Sequence, residues 1–354
     1  MATRAIVQLL ASLNPGDAIS DFARDLAAAA RGLGSAAPLV ASRVHPACRG
    51  EAASARTTRP DAVAGPGDLL LYHHSIGAGL VDWVRDFPGP RVVVHHSVTP
   101  PRFVAGWSPS LARAARAGEQ ELVALARLTS RAVGVSEHDA IEARTAGFRE
   151  VRVWPLAPSA RRLAAAPRAR ELARLGAEPG PRLLTVGRVA PNKRVEVLVA
   201  AHYLVTRALP QARLRLVGGD GGTEGYALAL RQLVRDLGAP NVVFDGTIDD
   251  RGLAARYRTA DLFLLASEHE GCGLPVLEAM HHRVPVIARA AAAIPETAGG
   301  AAWLLDDDRP ERWARAIVDL WADSAARARL VADGARQAAT RAAVDLGSWL
   351  ASLD

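Results

Sequence analysis

Lysine is almost absent. Of 43 basic residues in 354 positions, one is a lysine, Lys193, and the rest are arginine. A chain that uses arginine everywhere else keeps its single compact ammonium where a planar guanidinium would not serve. Cysteine is also scarce: Cys48 and Cys272 offer neither a disulfide framework nor a metal-ligand spacing, and a reducing cytoplasm fits. No apolar run approaches the roughly 20 residues a membrane span needs. The opening run, 5–13, is short for a signal peptide, has one preceding arginine and ends in Asn14-Pro15-Gly16-Asp17, so it reads as a first β-strand. Aromatics make up 5% and the formal charge is +6. The arginines are scattered without a dense basic block, which excludes a dedicated nucleic-acid binder. That charge leaves room for acidic phosphates and for peripheral association with an inner membrane face.

What is present, 49% hydrophobic and 23% charged residues over 354 positions, describes a globular protein of two domains. Apolar runs alternate with helical patterns, the signature of α/β, doubly wound parallel sheets. In the first half, strands are expected at 5–13, 68–77, 91–100, 132–136 and 151–156, with 44–66 as a surface loop. In the second half they are expected at 182–189, 214–222, 241–248, 261–266 and 284–288. Closing helices are expected at 309–322, 324–337 and 339–353. The domains are placed at 1–165 and 166–338, and the helix 339–354 packs back on the first. The acidic runs 249–250 and 306–308 each precede a helix and read as N-caps rather than metal ligands.

The stretch 267–279 spells S-E-H-E-G-C-G-L-P-V-L-E-A after a buried-strand pattern. A strand, a glycine turn and a helix start make an anion site, because the first N–H groups of a helix have no internal partners. Pro275 suits the first helical position. Glu278, one turn in, leans back toward the mouth that Glu270 lines. A tight turn with two incidental glutamates is the plainer alternative. A second junction, Gly187-Arg188 followed by Pro191-Asn192-Lys193-Arg194, puts two cations where a helix opens. Cations there oppose the helix dipole, and an anionic ligand would relieve them. The loop 218–222 misses the dinucleotide pattern, since Glu224 stands where the third glycine belongs, which disfavours a dehydrogenase.

The strands 68–77 and 91–100 each carry a His doublet, His73-His74 and His95-His96. Adjacent strand residues face opposite ways, so a doublet is a poor chelating pair, but one His of each could face a cleft. At the end of the first strand, Gly16 either lets backbone approach a phosphate or sugar, or belongs to an ordinary turn in which Asp17 caps the next helix.

Taken together, G-R-x-x-x-x-K at 187–193 and two glutamates enclosing G-x-G-L-P-x-L, then P-V-I-A and P-E, resemble the donor-site signature of retaining glycosyltransferases of family 4. The likeness is nearly continuous over 182–338 and looser in the first half. It implies the GT-B fold: two Rossmann-like domains facing a cleft. It also implies a nucleotide-sugar donor (UDP- or GDP-linked), and an acceptor hydroxyl on a glycan, a lipid-linked or a small molecule, with no cofactor or metal required. By the same resemblance Arg188 and Lys193 sit on the leaving diphosphate, with Gly187, Gly218 and the turn Gly271, Cys272, Gly273 and Leu274 around it. Glu270 meets donor-sugar hydroxyls, Glu278 the ribose, and His96, three positions before Thr-Pro-Pro, lies near the sugar; His73 is its counterpart on the preceding strand. Three departures stand out: Cys272 replaces a usual Phe, Arg283 a common glycine, and Ala292-Ala293 the glycines before I-P-E. The same scaffold also hosts glycoside phosphorylases, nucleotide-sugar epimerases and non-catalytic sugar-nucleotide-binding subunits, and the acceptor is expected against the loops 44–66 and 100–108.

Overall fold

The computed structural model describes residues 4–353. Its contacts divide the chain into two compact units. The first holds the residues up to Pro101, Ala112–Ser159 and those from Ala343 onward; the second holds Arg102–Leu111 and Ala160–Ala342.

In the first unit the strands are β1 (Ile6–Leu13), β2 (Leu39–Val44), β3 (Ala53–Ser54), β4 (Leu69–His74), β5 (Arg91–His95), β6 (Arg131–Gly134) and β7 (Glu150–Val153). They pair in the order β3-β2-β1-β4-β5-β6-β7, every pair parallel. A parallel sheet is covered on both faces, so its strands are apolar almost throughout rather than alternating. Every residue of β4 is accordingly buried, and Leu9, Leu70, Tyr72 and Val93 join one core. The chain's last helix, Leu346–Ala351, packs in this unit against the helix Ala18–Gly32, where Trp349 lies 6.1 Å from Phe22.

The second unit has β8 (Arg182–Val186), β9 (Arg213–Val217), β10 (Val242–Gly246), β11 (Leu262–Leu265), β12 (Val286–Arg289) and β13 (Trp303–Leu305). Their order is β10-β9-β8-β11-β12-β13, again all parallel. In both sheets the order reverses once, between β1 and β4 and between β8 and β11. Ligands of such sheets gather beyond the strands' carboxyl ends at that reversal.

Several expectations change. The loop 44–66 holds β3 and two single 3₁₀ turns, and β2 runs up to its first residue. β2 has an apolar run of only three residues before Ser-Arg-Val and β3 has two residues in all, so neither stands out in the sequence. The helix expected to end at 337 runs on as Ser324–Ala342, because the Ala- and Arg-rich continuation favours it. Asp249 does cap its helix, accepting from Gly252 N at 2.9 Å, and a hydrogen bond from Arg168 holds its carboxyl down at about 2. The run 306–308 caps nothing directly. The helix Pro310–Ala322 has Arg309 at its cap position, without a side-chain bond, while Asp308 pairs with Arg194. Glu121 accepts from the backbone N–H groups of Ala78 and Gly79.

Candidate functional site

The carboxyl ends of β8 and β9 are pressed together by two glycines. Gly187 has φ +150° and Gly218 φ +144°, and a Cβ on Gly218 would fall 1.9 Å from the Gly187 carbonyl oxygen. Only glycine permits that approach. Beyond β8 the chain passes the exposed Arg188 and makes a 3₁₀ turn, Pro191–Lys193. Arg194 follows in the left-handed region at φ 49°, and the α-helix begins at Val195. Lys193 therefore stands ahead of the helix rather than within its first turn.

The lone lysine has a defined partner. Its Nζ lies 2.6 Å from Glu270 Oε1, and Ser267 Oγ donates to the same oxygen at 2.7 Å. Their side chains are 20% and 9% exposed, so this is a mostly desolvated ion pair with one edge open. The backbone holds it there. Glu268 N donates to Asn192 O, Asn192 Nδ2 donates to His269 O at 3.1 Å, and Ala293 N donates to Glu270 O at 3.4 Å. The turn after β8 is thus laced to the turn after β11, across the reversal of strand order. Ser267 was legible as part of the motif; its hydrogen bond to Glu270 was not, because it depends on the fold of the turn.

After Gly271 and the buried Cys272, Gly273 caps the next helix at φ 67°, with no side-chain cap bond. The helix is Leu274–His281, so Leu274 is its first residue and Pro275 its second, not its first. The missing proline N–H is still one of the four that lack an intrahelical partner. Glu278 does not open freely onto the mouth. Its side chain is 4% exposed; Tyr257 Oη donates to it at 2.8 Å and Arg162 Nη1 at 3.2 Å. Burial, then the neighbouring Glu278 carboxylate, pushes the Tyr257 phenol well up. Two of the departures from the family spelling fall on left-handed backbone: Arg283 at φ 60° and Ala292 at φ 48°.

His96 and Gly16 belong to the first unit. Gly16 sits in the turn after β1 at φ 68°, and Asp17 caps the following helix by accepting from Ser20 N at 2.9 Å. The four histidines pair across strands instead of pointing singly outward. His73 Nδ1 lies 3.0 Å from His96 Nε2 and His74 Nδ1 3.2 Å from His95 Nδ1, each pair stacked. A chain of bonds sets the first pair's protons. Gln8 Nε2 donates to Ala23 O, so Gln8 Oε1 accepts from His73 Nε2–H; His73 Nδ1 is then the acceptor for His96 Nε2–H. Burial drives the pKa of His73 and of His74 down to about 3, and that of His96 well below the ordinary range.

The sequence-predicted residues Gly187, Lys193, Gly218 and Glu270 are thus gathered at one end of the second sheet. Residues 180–323 match the family model of the glycosyl transferases group 1. A D-inositol 3-phosphate glycosyltransferase of Kineococcus radiotolerans is 33% identical over 239 residues, which cover 62% of this chain and 55% of that protein. The match thus spans about half of that relative's length. The sucrose-phosphate synthase from Thermosynechococcus elongatus has a TM-score of 0.74 at 19% identity, covering 99% of this chain and 98% of its own. An Anabaena protein solved in complex with UDP and glucose gives 0.69 at 19% identity, over 99% of each chain. Identities that low establish the fold alone. The chain has the GT-B fold and, through residues 180–323, belongs to the glycosyl transferases group 1 family.

Proposed function

We propose that this protein transfers a glycosyl group from a nucleotide sugar to a hydroxyl acceptor with retention of configuration. The observation that carries the reading is the Lys193–Glu270–Ser267 cluster, laced across the reversal of the second sheet. Charge develops on the diphosphate as the glycosidic bond breaks, and fixed cations aimed at it lower the barrier without reorganising. Lys193 and Arg188 supply those cations, and the helix tip at 272–274 supplies N–H groups. The close Gly187–Gly218 approach keeps side chains out of the phosphates' way. Glu270, already neutralised by the ammonium, accepts from donor-sugar hydroxyls. Glu278 keeps lone pairs beyond those used by Tyr257 and Arg162, and these suit ribose hydroxyls. Direct carboxylate contact with the diphosphate would be repulsive.

Retention follows from either of two steps. In one, Glu270 forms and then loses a covalent glycosyl bond. In the other, the acceptor attacks the face the diphosphate leaves, and a phosphate oxygen takes its proton. Family resemblance favours the second. His96 is proposed beside the sugar as a neutral group, since burial opposes its charging. The donor is UDP- or GDP-linked, and the UDP and glucose held by the Anabaena protein favour testing UDP-glucose first. No helix among the described residues is long and apolar enough to cross a membrane; cytoplasmic placement with peripheral membrane contact is proposed.

A thermal-shift panel of nucleotides and nucleotide sugars tests the reading. At 100 times its dissociation constant a ligand stabilises the folded state by about 2.7 kcal/mol. The proposal requires a shift with UDP or GDP and their sugars and none with nicotinamide dinucleotides. An unshifted transition across the whole panel refutes it.

A further inference from the structure

The second unit carries a cavity of about 380 Å³ that the donor chemistry does not use. That size suits a small metabolite. Its walls include Arg102, Phe103, Trp107, Arg194, Glu196 and Tyr226, all in the second unit. Trp107 is 43% exposed, held edge-to-face against Tyr226 at 5.3 Å. Tyr226 is itself fixed: its hydroxyl donates to Glu196 and accepts from Val195 N at 3.0 Å. The result is a rigid indole wall, half open to solvent, beside a carboxylate.

The charges are unequal in their freedom. Arg194 is occupied by Glu196, Glu268 and Asp308. Arg102 is exposed and lies over the Phe103 ring at 4.6 Å, with no ion pair among the described residues. An aromatic face stacks on the C–H side of a sugar or polyol ring, and a carboxylate accepts from its hydroxyls. An uncommitted guanidinium binds a phosphate. The cavity also adjoins the cluster described above. Pro191 and Arg194 flank Lys193 in sequence, and the Phe103 ring is 6.3 Å from His269, the neighbour of Glu270.

We infer that this cavity is a binding site for a phosphorylated sugar or polyol, which enters as the acceptor. Trp107 stacks on its ring, Glu196 receives its hydroxyls and Arg102 holds its phosphate. The name acceptor rests on the glycosyl-transfer reading; the binding itself does not.

Calorimetric titration with glucose 6-phosphate, myo-inositol 1-phosphate, glucose and UDP tests it on wild type, Trp107→Ala and Arg102→Gln. Arg102 is exposed and Trp107 half exposed, and neither belongs to a buried core, so the fold persists. At least one of the two phosphates is expected to bind more tightly than glucose by about tenfold, an advantage that Arg102→Gln removes. Trp107→Ala weakens the phosphate and glucose alike, and UDP affinity stays within about twofold in both variants. Failure of both phosphates to bind, or binding that neither substitution changes, overturns the inference. Failure of UDP to bind while the phosphates behave as stated removes only the glycosyl-transfer reading.

Discussion

Acidification should destabilise the first unit through its buried histidines. His73 is 1% exposed and His74 0%, and each has a pKa driven down to about 3 by burial. In the unfolded chain a histidine titrates near 6.5. Below that value the unfolded state binds protons that the folded state refuses. The stabilisation is therefore complete above about pH 6.5 and is lost as pH falls toward 3. At pH 5 each histidine has lost about 2 kcal/mol, from 1.5 pH units at 1.36 kcal/mol each, so the two together lose about 4 kcal/mol. Against a typical stability of about 5–15 kcal/mol that is a large share. Facing groups do not rescue it. His73 meets the lone-pair-bearing Gln8 oxygen and the N–H of His96, and His74 meets His95, whose Nε2 already engages Glu142 at 2.9 Å. A second proton on His73 would set two N–H groups against each other. Urea denaturation between pH 7.5 and 5 reads the effect, and His73→Gln, which cannot titrate, should remove about 2 kcal/mol of the loss. A fall of less than about 1 kcal/mol, or an unchanged slope in His73→Gln, would refute the reasoning.

Other substitutions probe the backbone around the site. Gly218→Ala puts a methyl group 1.9 Å from the Gly187 carbonyl oxygen; a loss above about 3 kcal/mol, or no folded protein at all, is expected by denaturant titration. Ala292→Gly and Arg283→Gly relieve left-handed strain at φ 48° and φ 60° and should each raise stability by about 0.5–1 kcal/mol, seen as a higher melting temperature.

Much of this architecture was legible because parallel strands must be apolar on both faces, so β1, β4, β5, β8 and β11 announce themselves. β13 escaped notice because it has only three residues, and β3 because it has two. The lysine stood out by composition alone, and its carboxylate partner lay in the motif already singled out. The cross-strand pairing of His73 with His96 was not readable. It depends on register, His74 opposite His95, which forms only when the sheet assembles. The buried state of Glu278 was equally hidden, because Tyr257 and Arg162 reach it from distant parts of the chain. Arg102, Phe103 and Trp107 fell in a stretch expected to touch an acceptor. Only the folded contacts assign that stretch to the second unit.

The central claim is that the sole ammonium of the chain, now paired with Glu270, grips a nucleotide diphosphate. Calorimetric titration of UDP and GDP into wild type and Lys193→Ala tests it most directly. One of the two should bind wild type, and the substitution should weaken it by at least about tenfold, the loss expected for a charge-assisted contact of about 1.5–3 kcal/mol. Equal affinity in both proteins, or no binding to wild type, would contradict the account.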